Sequence, residues 1–167
     1  EFNDREIIEF ARLSIDHAYH IRFIEFMPTG CKNGWNADNF LSGRNIKRII
    51  QQHYTLEQAA REDEQGLNGP ADLFRIAGAR GVIGFISAIS NHFCASCNRL
   101  RLTADGKLRP CLFSDAELDL RNVLRGGGSD EDVRTLLHAA LSAKPKQHAL
   151  FEPSFRKCMR EMVSIGG

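Results

Sequence analysis

Cys94-Ala-Ser-Cys-Asn-Arg-Leu-Arg-Leu-Thr-Ala-Asp-Gly-Lys-Leu-Arg-Pro-Cys111 decides how this chain is read. Two cysteines close together are followed by an apolar-alternating run, an Asp-Gly turn, a second such run and a third cysteine. Asp105-Gly106 between alternating runs is a hairpin signal. A two-residue turn would pair Leu102 with Arg109 and Leu100 with Cys111, mixing apolar and polar groups on both faces. A three-residue loop, Ala104-Asp105-Gly106, pairs Leu102 with Leu108 and Leu100 with Pro110, and puts Gly106 at the left-handed bulge position. The three-residue loop is therefore expected. It sets Arg99, Arg101 and Thr103 on one face with Lys107, Arg109 and Cys111. Four basic residues against one acidic residue give this segment a local charge of +3.

The cysteines point to a metal centre. Five occur, at 31, 94, 97, 111 and 158, an odd number with one tight pair, which does not suit a secreted disulfide framework. Cys94 and Cys97 can bite one centre, and the hairpin returns Cys111 to it. Structural zinc almost always takes four protein ligands, and His92 or Cys158 could complete such a site. A 4Fe–4S cluster held by only three cysteines keeps one iron open to an outside ligand. Spacing leaves both readings standing. By default Cys31 and Cys158 are free thiols.

The whole chain fits a soluble globular protein, with 167 residues, 43% hydrophobic and 26% charged. A net charge of +1 gives no global reason to expect nucleic acid or a membrane as partner. No apolar run approaches the ~20 residues that span a bilayer, so a cytoplasmic protein, or one of an organelle interior such as the mitochondrial matrix, is expected. A helix is expected over 5–13 with Asp4 as cap, then a buried strand over 21–26 and a Pro/Gly loop over 27–34. Ser42 begins a helix with Ile46, Ile49 and Ile50 on one face. A polar linker over 61–72 leads to strands 73–77 and 82–86. Helices are expected near 117–124 and 130–141, joined by Gly126-Gly-Gly128, with a short helical piece over 153–162. A lone helix–strand opening belongs to a larger α/β array, so the chain reads as a fragment. Residues 1–57 form the end of an α/β array, and 58–167 form a second domain.

The segment His92-Phe-Cys-Ala-Ser-Cys-Asn-Arg-Leu-Arg-Leu-Thr-Ala-Asp-Gly106, continuing to Cys111-Leu-Phe113, closely resembles the C-terminal signature of the GTP 3′,8-cyclase family of molybdenum cofactor biosynthesis, in the radical S-adenosylmethionine superfamily. Arg22-Phe-Ile-Glu-Phe-Met-Pro28, Glu117-Leu-Asp-Leu-Arg121 and the terminal Gly166-Gly167 resemble further family segments in the same order. The resemblance implies an α/β (α+β overall) chain: the end of an incomplete (β/α)6 barrel, then an iron–sulfur domain with a hairpin and helices. It implies a 4Fe–4S cluster on Cys94, Cys97 and Cys111 whose open iron takes the purine of GTP. GTP contacts would come from Arg99, Leu100, Arg101 and Arg22, and an S-adenosylmethionine contact from Met27. Arg99, Arg101 and the Gly166-Gly167 tail would serve catalysis. The family converts GTP to (8S)-3′,8-cyclo-7,8-dihydroguanosine 5′-triphosphate as a homodimer. Its N-terminal CxxxC-xx-C motif, which binds the S-adenosylmethionine-cleaving cluster, is absent from these residues. The expectation is thus a C-terminal portion that binds a cluster and GTP without starting radical chemistry alone. A zinc-stabilised module binding an anion such as RNA is the alternative, and a cluster used only for electron transfer is a third reading.

Overall fold

The structure, a computed structural model, describes residues 3–60, 69–150, 152–153 and 155–165. The expected Gly166-Gly167 site and most of the 61–72 linker lie outside the described residues. The chain is a mixed α/β protein with two sheets. It divides into two compact units, Glu1–Met27 with Asn36–Phe93, and Pro28–Trp35 with Cys94–Gly167. Among the described residues no helix is long and apolar enough to cross a membrane.

In the first unit, α1 (Ile7–Asp16), β1 (His20–Ile24), α2 (Gly43–Gln51), β2 (Leu56–Gln58), β3 (Asp72–Ile76) and β4 (Val82–Ile86) follow in order. The sheet runs β1-β4-β3-β2; β1 and β4 are parallel, and the other pairs antiparallel. Ile7 and Ala11 of α1 and Ile46 and Ile50 of α2 pack with Phe74, Ile83 and Phe85 of the sheet, the stripe that 3.6-residue periodicity places on one helix face. The Ser42 cap is present, its hydroxyl accepting from the Asn45 N–H at 3.2 Å.

Three expectations are corrected here. Asp4 does not stand at the start of α1: it opens a short 3₁₀ turn, and α1 begins at Ile7 with Glu6 at its N-cap position. The strand 21–26 is shorter and only half-buried. As the sheet's outer strand, β1 leaves Ile24 53% exposed, and Phe26 beyond it is exposed too. The strand β2 was not foreseen, because Leu56-Glu-Gln58 is too short to show alternation.

The end of β1 is anchored by Glu25, which is 2% exposed. Its carboxylate accepts the N–H of Gly43 at 2.8 Å, of Ile89 at 2.8 Å and of Ser90 at 2.9 Å, together with the Ser90 hydroxyl. One buried carboxylate thus joins β1, the first turn of α2 and the loop after β4. A Cβ on Gly43 would stand 2.6 Å from the Ser87 hydroxyl, so a side chain there would force that hydroxyl to move.

Removing this carboxylate orphans three backbone donors, each costing roughly 1–3 kcal/mol when buried. Glu25→Ala is therefore expected to lower unfolding free energy by about 3 kcal/mol or more. A urea titration checks it: the midpoint falls while the slope is retained.

Candidate metal and anion site

The second unit contains the hairpin β5 (Arg101–Leu102) and β6 (Lys107–Arg109), then β7 (Leu118–Asp119), α3 (Leu120–Arg125) and α4 (Asp130–Ser142). The three-residue loop is present. Leu102 pairs with Leu108 and Arg101 with Arg109, and Gly106 takes φ +81°. Thr103 closes the loop from both sides: its N–H donates to Lys107 O at 2.9 Å, and its hydroxyl accepts the Lys107 N–H at 2.8 Å. The apolar face is less uniform than expected, since Leu108 is buried but Leu102 is 55% exposed.

Leu118 and Asp119 are corrected from helix to strand, and Glu117 lies outside any regular element. Leu118 and Asp119 pair with Leu108 and Lys107 as a third strand, and α3 starts only at Leu120, capped by the Asp119 carboxylate on the Asn122 N–H at 2.8 Å. Pairing to the hairpin outweighs the helical pattern. Likewise, the described residues of 153–162 hold no regular helix, and a 3₁₀ turn spans Met162–Ser164.

The β5–β6 ladder stops at Arg101–Arg109. Pro110 follows and has no N–H to continue it. Beyond that end lie the three cysteines, all unbridged and half-buried. Cys94 opens a 3₁₀ turn, and its carbonyl accepts the Cys97 N–H at 3.2 Å, which holds those two thiols on one turn. Burial pushes the Cys111 thiol up, a Phe113 backbone hydrogen bond opposes this, and the charge of Cys94 adds to the rise. The three sulfurs therefore act on one another electrostatically. Among the described residues no three His, Cys, Asp or Glu groups stand together as a ready single-ion site. Three thiol donors nonetheless fit an iron–sulfur cluster chemically, because each thiolate binds a different iron.

The cations around the hairpin sort into two sets. Arg109 is only 1% exposed and is consumed internally, at 2.6 Å from Glu117 and 3.4 Å from Asp115, with the Ser114 carbonyl as a further acceptor. Lys107 is paired with Asp119. Neither is an anion-binding charge beside the cysteines, which corrects the expectation drawn from register alone: carboxylates that follow Cys111 in sequence fold back onto both. Arg99 is exposed and Arg101 half-buried. Arg101 has its guanidinium pKa lowered by burial and then by repulsion from Arg99 and Arg109, while the Cys97 and Cys111 sulfurs oppose the shift. Leu100 is half-buried between them. Arg22 on β1 and Met27 belong to the first unit, Arg22 exposed and Met27 half-buried.

Two residues that the sequence reading missed matter here. Lys144, just past α4, sends its ammonium to Arg99 O at 2.7 Å, Pro110 O at 3.0 Å and Cys97 Sγ at 3.6 Å. Arg160 makes two hydrogen bonds to Asp105 at 3.1 and 2.9 Å and reaches Glu117 at 2.7 Å, tying the C-terminal segment to the hairpin turn. No short-range pattern marks either, since each partner lies more than thirty residues away. Cys158 is buried, and its sulfur accepts the Gly30 N–H at 3.3 Å. His92, the other residue considered as a fourth zinc ligand, is exposed.

Residues 19–150 match the family model described as Molybdenum Cofactor Synthesis C. Curated relatives include the GTP 3′,8-cyclases of Moorella thermoacetica, 45% identical over 166 residues, and of Syntrophomonas wolfei, 42% identical over 166 residues; each alignment covers 99% of this chain and 50% of the relative. The GTP 3′,8-cyclase of Mycolicibacterium smegmatis is 39% identical over 166 residues, covering 97% of this chain and 45% of the relative. The chain thus spans about half the length of the curated relatives it matches.

The carboxylates around the hairpin make its stability depend on pH. A hydrogen bond from Arg160, then one from Thr103, holds Asp105 well below its ordinary value, and Lys107 does the same for Asp119. Burial pushes Glu117 up, but Arg160 and Arg109 outweigh it and leave it lowered. A depressed folded-state pKa means that the unfolded chain binds more protons. This contribution is therefore complete above the unfolded values near ~4 and is lost as pH falls through the folded ones. Thermal melts from pH 6 down to pH 2 are expected to show a falling midpoint in the acid range, and Arg160→Ala should shrink that fall.

Proposed function

The chain belongs to the Molybdenum Cofactor Synthesis C family, and on that premise we propose that it is the cluster-bearing, GTP-binding part of a GTP 3′,8-cyclase. What supports this reading is Arg101 within electrostatic reach of Arg99 and of the Cys97 and Cys111 sulfurs, with Cys94 on the same turn as Cys97. Cys94, Cys97 and Cys111 hold a 4Fe–4S cluster, which when bound supplies an open iron as a Lewis-acidic anchor for the purine.

The remaining roles fall to the chain's own side chains. Arg101 is held beside two like charges, and Arg99 is one of them. An incoming anion relieves that repulsion, so the pair favours a triphosphate or the negative charge that develops on a substrate. Leu100 between them offers apolar surface. By the family resemblance Arg22 adds a further triphosphate contact, Met27 contacts S-adenosylmethionine, and Gly166-Gly167 serve catalysis. In the whole enzyme a CxxxC-xx-C cluster outside these residues would supply the radical chemistry by which GTP becomes the cyclic 7,8-dihydroguanosine triphosphate. The 167 residues alone bind without turning over. The whole enzyme acts as a homodimer in the cytoplasm, or in the mitochondrial matrix of a eukaryote, with GTP as its partner and neither nucleic acid nor membrane. By this reading the end of the barrel includes residues 1–57, and the cluster domain lies within 58–167.

Purification without oxygen tests the reading. The expected product is brown, carries about four irons per chain and changes its visible spectrum on adding GTP. Arg99→Ala is expected to weaken GTP binding by about 10-fold, the loss of one charge-assisted hydrogen bond of roughly 1.5 kcal/mol. A colourless anaerobic product with about one zinc would replace the proposal with the zinc module. A cluster indifferent to GTP would leave electron transfer.

A further inference from the structure

Lys144 occupies a place that neither the ligand set nor the arginine pair explains. It follows the last turn of α4, where its N–H bonds to Leu141 O at 3.2 Å, so the helix end fixes where its side chain starts. An ammonium has three protons, and three acceptors meet this one: the carbonyls of Arg99 and Pro110 and the sulfur of Cys97. Arg99 lies two residues after Cys97, and Pro110 immediately precedes Cys111. The ladder has ended at Arg101–Arg109, and Pro110 cannot donate. One ammonium therefore ties the two strands together beyond the ladder and touches a cysteine sulfur.

Resting on the cluster reading above, we propose that Lys144 is a positioning residue for the cluster. Its two carbonyl contacts fix the separation between the Cys97 turn and the Cys111 strand end. Its N–H···S contact and positive charge offset the negative charge of three thiolate ligands. Hydrogen bonds to ligand sulfurs and nearby charge set cluster potentials, and groups that orient ligands govern metal retention. A cation here stabilises the reduced cluster, the more negative state, so removing it should drive the reduction potential down. A lysine that served the fold alone would leave that potential unchanged.

The test uses the 167-residue chain, reconstituted anaerobically with iron and sulfide. Wild type, Lys144→Gln and Lys144→Arg are compared by circular dichroism, by iron release to a ferrous chelator and by redox titration. Lys144→Gln is expected to keep the wild-type spectrum, release iron about 10-fold faster and titrate at a more negative potential. Lys144→Arg keeps the charge but cannot present three protons to the same three acceptors. It is expected to release iron faster than wild type with a potential near the wild-type value. Unchanged release and potential in Lys144→Gln would overturn the proposal. If Lys144→Gln does not fold, Lys144→Arg decides: faster release supports positioning, and wild-type release refutes it. Wild type that takes up no iron would instead overturn the cluster reading itself, and this inference with it, a result distinct from an intact wild-type cluster that ignores Lys144.

Discussion

Gly106 turns the chain with φ +81°, a conformation that side chains with a Cβ rarely adopt, and nearly everything in the second unit follows from that turn. A turn closed over Ala104-Asp105-Gly106 forces Leu102 opposite Leu108 and Arg101 opposite Arg109. A shift by one residue would exchange the two faces of both strands. It would bring Leu108 out of its buried position and Arg109 away from Glu117. Arg121 packs over the same glycine, with its Cβ 2.6 Å from where a Gly106 Cβ would sit. The Arg121 N–H also donates to the Gly106 carbonyl at 3.0 Å, so the turn positions the start of α3 as well.

Charge in this unit is allocated by burial rather than by count. Arg109 cannot be buried alone, because an unpaired guanidinium away from water is costly. Glu117 and the Ser114 carbonyl, brought back by the chain after Cys111, meet that need. Glu117 is then shared with Arg160, which also holds Asp105. Two arginines and three carboxylates, Asp115 included, therefore form one connected network, in which each member's orientation depends on the others. The network links the hairpin turn, the strand after it and the C-terminal segment. Glu25 solves the converse problem in the first unit, a buried carboxylate satisfied by backbone N–H groups and a hydroxyl.

What could be read from residues alone was what depends on near neighbours. The Asp-Gly turn, the Ser42 cap and the Ile46/Ile50 face rest on contacts a few residues apart, and all are present. The short strands β2 and β7 were not legible, because pairing partners outside the segment make them strands. Lys144 and Arg160 were invisible for the same reason: what they bind lies more than thirty residues away. The cysteine triplet could be read as a metal centre, but spacing alone left its metal open. Its family could be read as well, because four ordered motifs carry it, and the match over residues 19–150 agrees.

The local charge of +3 between Cys94 and Cys111 needs reinterpretation in that light. Lys107 and Arg109 leave it by pairing with Asp119 and Glu117, and Asp105 leaves it by pairing with Arg160. Lys144 enters it from a different part of the chain. Arg99, Arg101 and Lys144 then make up the cationic side of the site, and they are not equivalent. Lys144 is engaged by two carbonyls and a sulfur, so its charge is directed at the thiols. Arg101 sits where Arg99 and Arg109 repel it and the sulfurs of Cys97 and Cys111 attract it. On the proposed function, two electrostatic tasks, compensating thiolates and receiving an external anion, would be divided among residues that a sum over the sequence treats alike. On that proposal, the same division would make a modest net charge of +1 compatible with binding an anion, because the charges facing the site are separated from those that neutralise one another inside the fold.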